Sequence, residues 1–193
     1  TIATDREDIE GCPVWSWIFG GAMQGCVYPL LAYFAFRSKN VTFKEWCGMS
    51  WREAQGGVAE KAWFSVFFGY LLKDMFVMED ELFLLHHVAC MLGIVLAMSL
   101  PRGAFIHLFA MASLEVGSLF MCLAKILPPS PHIDIRLDRL YWVSMTLSNI
   151  ICLMAMFYGS YSIDFELRRG VQIGYKIFVG VITVVLVYLR QEV

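Results

Sequence analysis

Six long runs almost free of charge, each close to the length of a membrane-crossing helix, limit what this chain can fold into. They are Cys12 to Phe36, Ala62 to Met78, Leu82 to Leu100, Ala104 to Leu127, Leu140 to Ile163 and Val171 to Leu189. A helix rises about 1.5 Å per residue, so roughly 20 residues cross a hydrocarbon core of about 30 Å. The second run is the shortest, and its helix is expected to extend back through Glu60 and Lys61. Hydrophobic residues make up 59% of the chain and charged ones 17%, more apolar surface than a soluble domain of this size can hide. The runs do not alternate with a period of two, which a transmembrane barrel requires, so they are read as helices. A net charge of −2 offers no basic excess, and no nucleic-acid partner is expected.

No linker divides the chain. Pro101-Arg102-Gly103 and Pro128-Pro129-Ser130-Pro131 are helix breakers at the ends of the third and fourth runs, and the connections are short apart from that between Arg37 and Lys61. The expected architecture is an all-α integral membrane fold. It has a polar N-terminal segment over 1–11, one six-helix domain over 12–189 and a tail over 190–193. Within the longer connection, Phe43, Trp46, Cys47, Ser50, Trp51 and Ala54 fall at helical spacing. This suggests a short interfacial helix with its tryptophans at headgroup level, the alternative being an irregular loop with two aromatic anchors.

The acidic, polar stretch from Thr1 to Glu10 lacks the pattern of a cleavable signal. Of the two membrane sides, the one holding the Arg37 to Lys61 loop, Arg102 and Arg168-Arg169 collects more Lys and Arg, which assigns it to a cytosolic or matrix-like compartment. The six cysteines, Cys12, Cys26, Cys47, Cys90, Cys122 and Cys152, form no C-x-x-C pair, and neither a disulfide framework nor a metal site is expected.

Ionisable groups inside the runs are expensive in hydrocarbon, so function is sought there. Asp74 closes the second run, His86 and His87 open the third, and Glu115 lies about 17 Å along the fourth by helical rise, near the midplane. Across a tight antiparallel turn, Asp74 and the histidines lie at similar depth. An imidazole beside a carboxylate can move a proton, orient a nucleophile or hold an ester. Adjacent helical residues point about 100° apart, so only one of the two histidines can face a small site squarely.

Each residue also has a purely structural reading. The histidines can reach headgroups, Glu115 can pair with Lys125 or a serine to fix packing, and Lys73 is expected to snorkel outward. Glu79-Asp80-Glu81 reads as an acidic helix start that suits the helix dipole. His107, near the opposite end of its helix from the double histidine, is left out of the site. Gly21-x-x-x-Gly25 and Gly170-x-x-x-Gly174 read as close helix contacts, internal or with a partner.

Gly69, Tyr70 and Asp74 in a G-Y-x-x-x-D pattern, followed by His86-His87 and then Glu115 in the next run, resemble the TLC-domain family of multi-pass membrane proteins, which includes the ceramide synthases. The resemblance covers about Ala62 to Lys125. Against the synthases, Cys90 stands where a threonine falls, Arg102-Gly103 near the expected arginine, Leu114-Glu115 where His-Asp falls, and Ser118 at the last aspartate. The non-synthase branch has Glu followed by Ser, Thr and Pro. Here Val116, Gly117 and Ser118 follow Glu115, and the fifth run lacks that branch's arginine, so the match is to a divergent member outside the synthases.

The resemblance implies a six-helix bundle with Asp74, His86, His87 and Glu115 as its site, and residence in the endoplasmic reticulum. The function expected is binding, sensing or processing of a sphingolipid, fatty acyl chain or phospholipid in an intramembrane polar pocket, with membrane lipids as partners. No cofactor is expected. Turnover is not, and were there any it would be acyl transfer to a lipid amine with acyl-coenzyme A as substrate. The competing class is a non-catalytic scaffold or accessory subunit of a larger complex, in a mitochondrial or plastid membrane. A proton path ranks last, since the fifth and sixth runs offer few polar residues to continue a relay.

Overall fold

A computed structural model describes residues 8–9, 12–53, 57–77, 81–127 and 131–192. A short antiparallel pair, β1 (Asp8–Ile9) and β2 (Cys12–Pro13), leads into a continuous helical rod made of α1 (Val14–Ala22), a π-helical turn (Met23–Val27) and α2 (Tyr28–Arg37). The π turn has a local cause. Pro29 offers no N–H and its ring crowds the carbonyl four residues back, so the preceding turn widens to keep its hydrogen bonds.

Among the described residues six further helices follow: α3 (Phe43–Gly48), α4 (Val58–Val77), α5 (Glu81–Ser99), α6 (Ala104–Ile126), α7 (Pro131–Ser162) and α8 (Arg169–Glu192), of which α3 is short and the rest are long. Among the described residues the fold is thus all-helical apart from the small hairpin and the connections. Three rods, Val14–Arg37, Ala104–Ile126 and Arg136–Ser162, are long and apolar enough to cross a membrane, and Leu84–Ser99 is a shorter apolar helix. Helix α4 begins at Val58 and carries Glu60 and Lys61 within it, as its length required. Of the expected features, the polar segment at residues 1–7, 10 and 11, the acidic pair Glu79-Asp80, Ala54, the Pro128-Pro129-Ser130 breaker and Val193 lie outside the described residues.

Helix α6 is central. Its buried face includes Phe105, Leu108, Ala112, Glu115, Ser118 and Cys122, and α1, the π turn, α2, α3, α5 and α7 all pack on it. Close approach to the first rod is set by small residues: a Cβ on Gly21 would sit 3.4 Å from Cys122 Cβ, and one on Gly25 only 2.9 Å from Leu119 Cδ1. Gly21-x-x-x-Gly25 is therefore an internal contact. Gly170 and Gly174, by contrast, face open space.

One end of the bundle is tied by its connections. Gly103, at φ 84°, a conformation that disfavours any side chain, donates its N–H to Gly48 O at 3.0 Å and to Met49 O at 3.1 Å, and Arg102 reaches Glu166 at 3.3 Å. The α3 region, the α5–α6 turn and the α7–α8 connection thereby meet. The interfacial helix is shorter than expected and faces the other way. It ends at Gly48, and Trp46, 1% exposed, stacks on Phe105 at 5.4 Å inside the core rather than at headgroup level. Burial pushes the neighbouring Cys47 thiol up to about 12.

Candidate functional site

The α4–α5 hairpin and the first rod enclose a polar cluster at the end of the bundle opposite Gly103. Asp74, on the last turns of α4, is fully buried. Its Oδ1 accepts an ion pair from Lys73 Nζ at 2.5 Å, and its Oδ2 lies 3.8 Å from His87 Nε2. Lys73 does not follow the outward course expected of it. Rather than snorkelling outward, its ammonium donates to Ser16 Oγ at 2.9 Å and sits 5.4, 5.3 and 4.8 Å from the ring centroids of Trp15, Phe19 and Tyr70. Three aromatic faces and a carboxylate replace the water it gives up.

The two histidines diverge as their spacing requires. His87 is buried and turned to Asp74, whereas His86 is half-buried and aligned along its own helix, Nε2 3.6 Å from Cys90 Sγ one turn on. Glu115 is buried on α6 at 8% exposure. It belongs to the same neighbourhood, since the hydroxyls of Tyr28 and Tyr70 and the thiol of Cys122 each lie within electrostatic reach of both Asp74 and Glu115. Of the four expected residues the fold therefore brings Asp74, His87 and Glu115 to one region and sets His86 at its edge.

Four participants were not anticipated: Ser16, Gln24, Tyr28 and Lys73. Gln24 lies in the π turn, and its Oε1 accepts from Cys122 Sγ at 3.2 Å. Tyr28, with no exposed surface, is ringed by Trp63, Phe67 and Tyr70 at centroid distances of 5.9, 5.1 and 5.9 Å. Its hydroxyl has no hydrogen-bond partner among the described residues. The signal that would have found this wall is Pro29, because a proline inside an apolar run reshapes the turn before it.

At the other end of the bundle His107, 6% exposed, forms a separate polar pair. A carbonyl can only accept, so the 3.0 Å contact with Gly103 O puts the proton on Nδ1, and Nε2 then accepts from the Tyr175 hydroxyl at 2.7 Å. This pair closes one end of a cavity of about 120 Å³ between α5, α6, α7 and α8. No group of three or more His, Cys, Asp or Glu is gathered as metal ligands among the described residues. Chemically, the Asp74 cluster can hold a polar donor in a dry interior, and the His107 cavity can hold something apolar. No family model, curated protein or solved structure matches the chain.

Proposed function

We propose that this chain is a six-span, TLC-like membrane protein that binds the donor-bearing head of a lipid, an amine or hydroxyl, within the Asp74–His87–Glu115 cluster. The observation that carries this reading is the Tyr28 hydroxyl, fully buried, without a hydrogen-bond partner among the described residues, and in the electrostatic neighbourhood of Glu115 and Asp74. An orphaned buried hydroxyl costs about 1–3 kcal/mol, a cost that a bound hydroxyl removes and an ammonium donating to the phenolic oxygen reduces. Charge balance points the same way. Asp74 and Glu115 put two buried carboxyl groups in the cluster, and an ammonium head brings a charge of opposite sign. Binding is the proposal. By the TLC resemblance the proposed membrane is the endoplasmic reticulum.

Native mass spectrometry of the full chain from mild detergent tests it, comparing wild type with Tyr28→Phe and Glu115→Gln. The wild type is expected to retain one amine- or hydroxyl-bearing lipid, with retention about 10-fold weaker in each variant, the equivalent of one lost hydrogen bond. Identical lipid complements in all three proteins would overturn the reading.

A second reading, an accessory subunit in a larger mitochondrial or plastid membrane assembly, is favoured by a different observation. Gly170 and Gly174 on α8 present an open small-residue face of the kind that receives a partner helix. Extraction only together with other membrane subunits, and no retained lipid, would select it.

A further inference from the structure

We propose that the cavity ending at His107 and Tyr175 is a binding site for one acyl chain of an anionic phospholipid, its headgroup held at the first turns of α8. The inference rests on α5 and α8 spanning the membrane, and not on the Asp74 cluster.

The cavity is lined by Leu92 and Leu96 of α5, Met111 of α6, Met156 of α7, and Phe178 and Ile182 of α8. Leu92 and Phe178, at its rim, are 59% and 49% exposed, so it opens on the bundle's flank, where a membrane presents hydrocarbon. Water is a poor occupant. The polar groups on its wall are already bonded, His107 and Tyr175 to each other and Thr183 Oγ1 to Val179 O at 2.7 Å. An alkyl chain needs none of them.

Depth and direction suit a lipid. Tyr175 lies about 9 Å from the start of α8 and Thr183 about 12 Å deeper by helical rise, so the cavity runs from just under one membrane surface toward the midplane. Above its polar end, Arg169, Gln172 and Lys176 fall at i, i+3 and i+7 and line a polar depression together with Asp164 and Glu166. Glu166 is engaged by Arg102, which leaves Arg169 and Lys176 in excess over Asp164 for a phosphate. Lys176 Nζ stands 5.9 Å from the Phe165 ring, and that ring packs on Tyr175 at 5.1 Å, so the basic rim and the polar end of the cavity are contiguous.

The test uses the full chain in nanodiscs containing phosphatidylglycerol or phosphatidylcholine with a diazirine at the chain end. Crosslinks are mapped by mass spectrometry. Labelling is expected at Leu92, Met111, Phe178 and Ile182, severalfold stronger from phosphatidylglycerol. Lys176→Gln should abolish that preference while leaving the labelled positions unchanged, and Ala89→Phe, which fills the cavity from its half-buried rim, should remove the labelling. A thermal melt of each variant separates loss of the site from loss of the fold. Labelling spread evenly over outward residues such as Val143 and Leu147, or equal labelling by both lipids, overturns the assignment. Tyr28→Phe should leave these crosslinks intact, so failure here and failure at the Asp74 cluster are told apart.

Discussion

Lys73 and Asp74 are neighbours in sequence, yet what joins them is the first rod, 57 positions upstream of Lys73 at Ser16. A buried ion pair is weak support for a fold in itself, because desolvating two charges consumes most of what their attraction returns. Breaking it from one side is another matter. Lys73→Met leaves the Asp74 carboxylate fully buried with His87 as its remaining partner, and is expected to cost about 3 kcal/mol. Asp74→Leu is expected to cost less, since Lys73, 22% exposed, can then extend toward the headgroups. The double variant should return to within about 1 kcal/mol of wild type, because an apolar pair of similar volume suits this interior. Unfolding of the four proteins in one detergent supplies the cycle, and strictly additive single effects would show that the two groups do not act as a pair.

Short elements here are specified by local chemistry more than by apolar period. Thr42-x-x-Glu45 forms a capping box at the start of α3: Thr42 Oγ1 accepts from Glu45 N at 3.3 Å, and Glu45 Oε2 accepts from Thr42 N at 2.9 Å. Ser50 and Glu53 repeat the exchange just after the helix. The Thr42 hydroxyl, and then its N–H, hold the Glu45 carboxyl below its usual range. A carboxyl lowered by folding stabilises above its unfolded value, near 4.3, and that stability is lost as pH falls through the folded value. Amide protection across α3 is therefore expected to be full at pH 6 and to fall below about pH 4. Thr42→Ala should weaken α3 by about 1 kcal/mol at pH 6 and flatten the pH response, and hydrogen exchange reads both.

The same stretch shows what sequence carries and what it does not. Helical spacing from Phe43 onward marked α3, but period alone cannot distinguish a face turned to headgroups from one turned to protein, and Trp46 took the core beside Phe105. Asp74 and the histidines were legible because charge in an apolar run is costly wherever it points. Lys73 and Tyr28 were not. Most of the rings around both come from distant parts of the chain, and a tyrosine among apolar residues carries no mark of burial.

At the scale of the molecule, the number of crossings decides where the two ends lie. Val14–Arg37, α6 and α7 are each long and apolar enough to cross. If these alone did so, α4 and α5 would lie together on one side, as would α8, and the chain's ends would fall on opposite faces. The six crossings proposed above rest on packing and on outward surfaces. Helix α4 lies along α2, α5 along α4 and α6, and α8 along α5 and α7. The outer surfaces of α4 and α5 include Leu72, Phe76, Leu85, Leu92 and Val95, all more than a third exposed, and α8 adds Ile173, Ile177, Val181 and Val184. Water would penalise each of these side chains by about 1.5–3 kcal/mol relative to burial, whereas hydrocarbon would not. Arg102, Glu166 and the Gly48–Met49 carbonyls also converge on one end, as three loops on a single membrane face would. With Lys39, Arg102 and Arg168 there, that face is expected to be the cytosolic or matrix-like one. Single cysteines at Ser38 and Asp164 in a cysteine-free background should react with an impermeant maleimide from the same side, and tags before Thr1 and after Val193 should both be found on the other. A C-terminal tag on the side of Asp164 would leave α8 uncrossed and exclude the six-span arrangement, and with it the flank on which the proposed acyl-chain site depends.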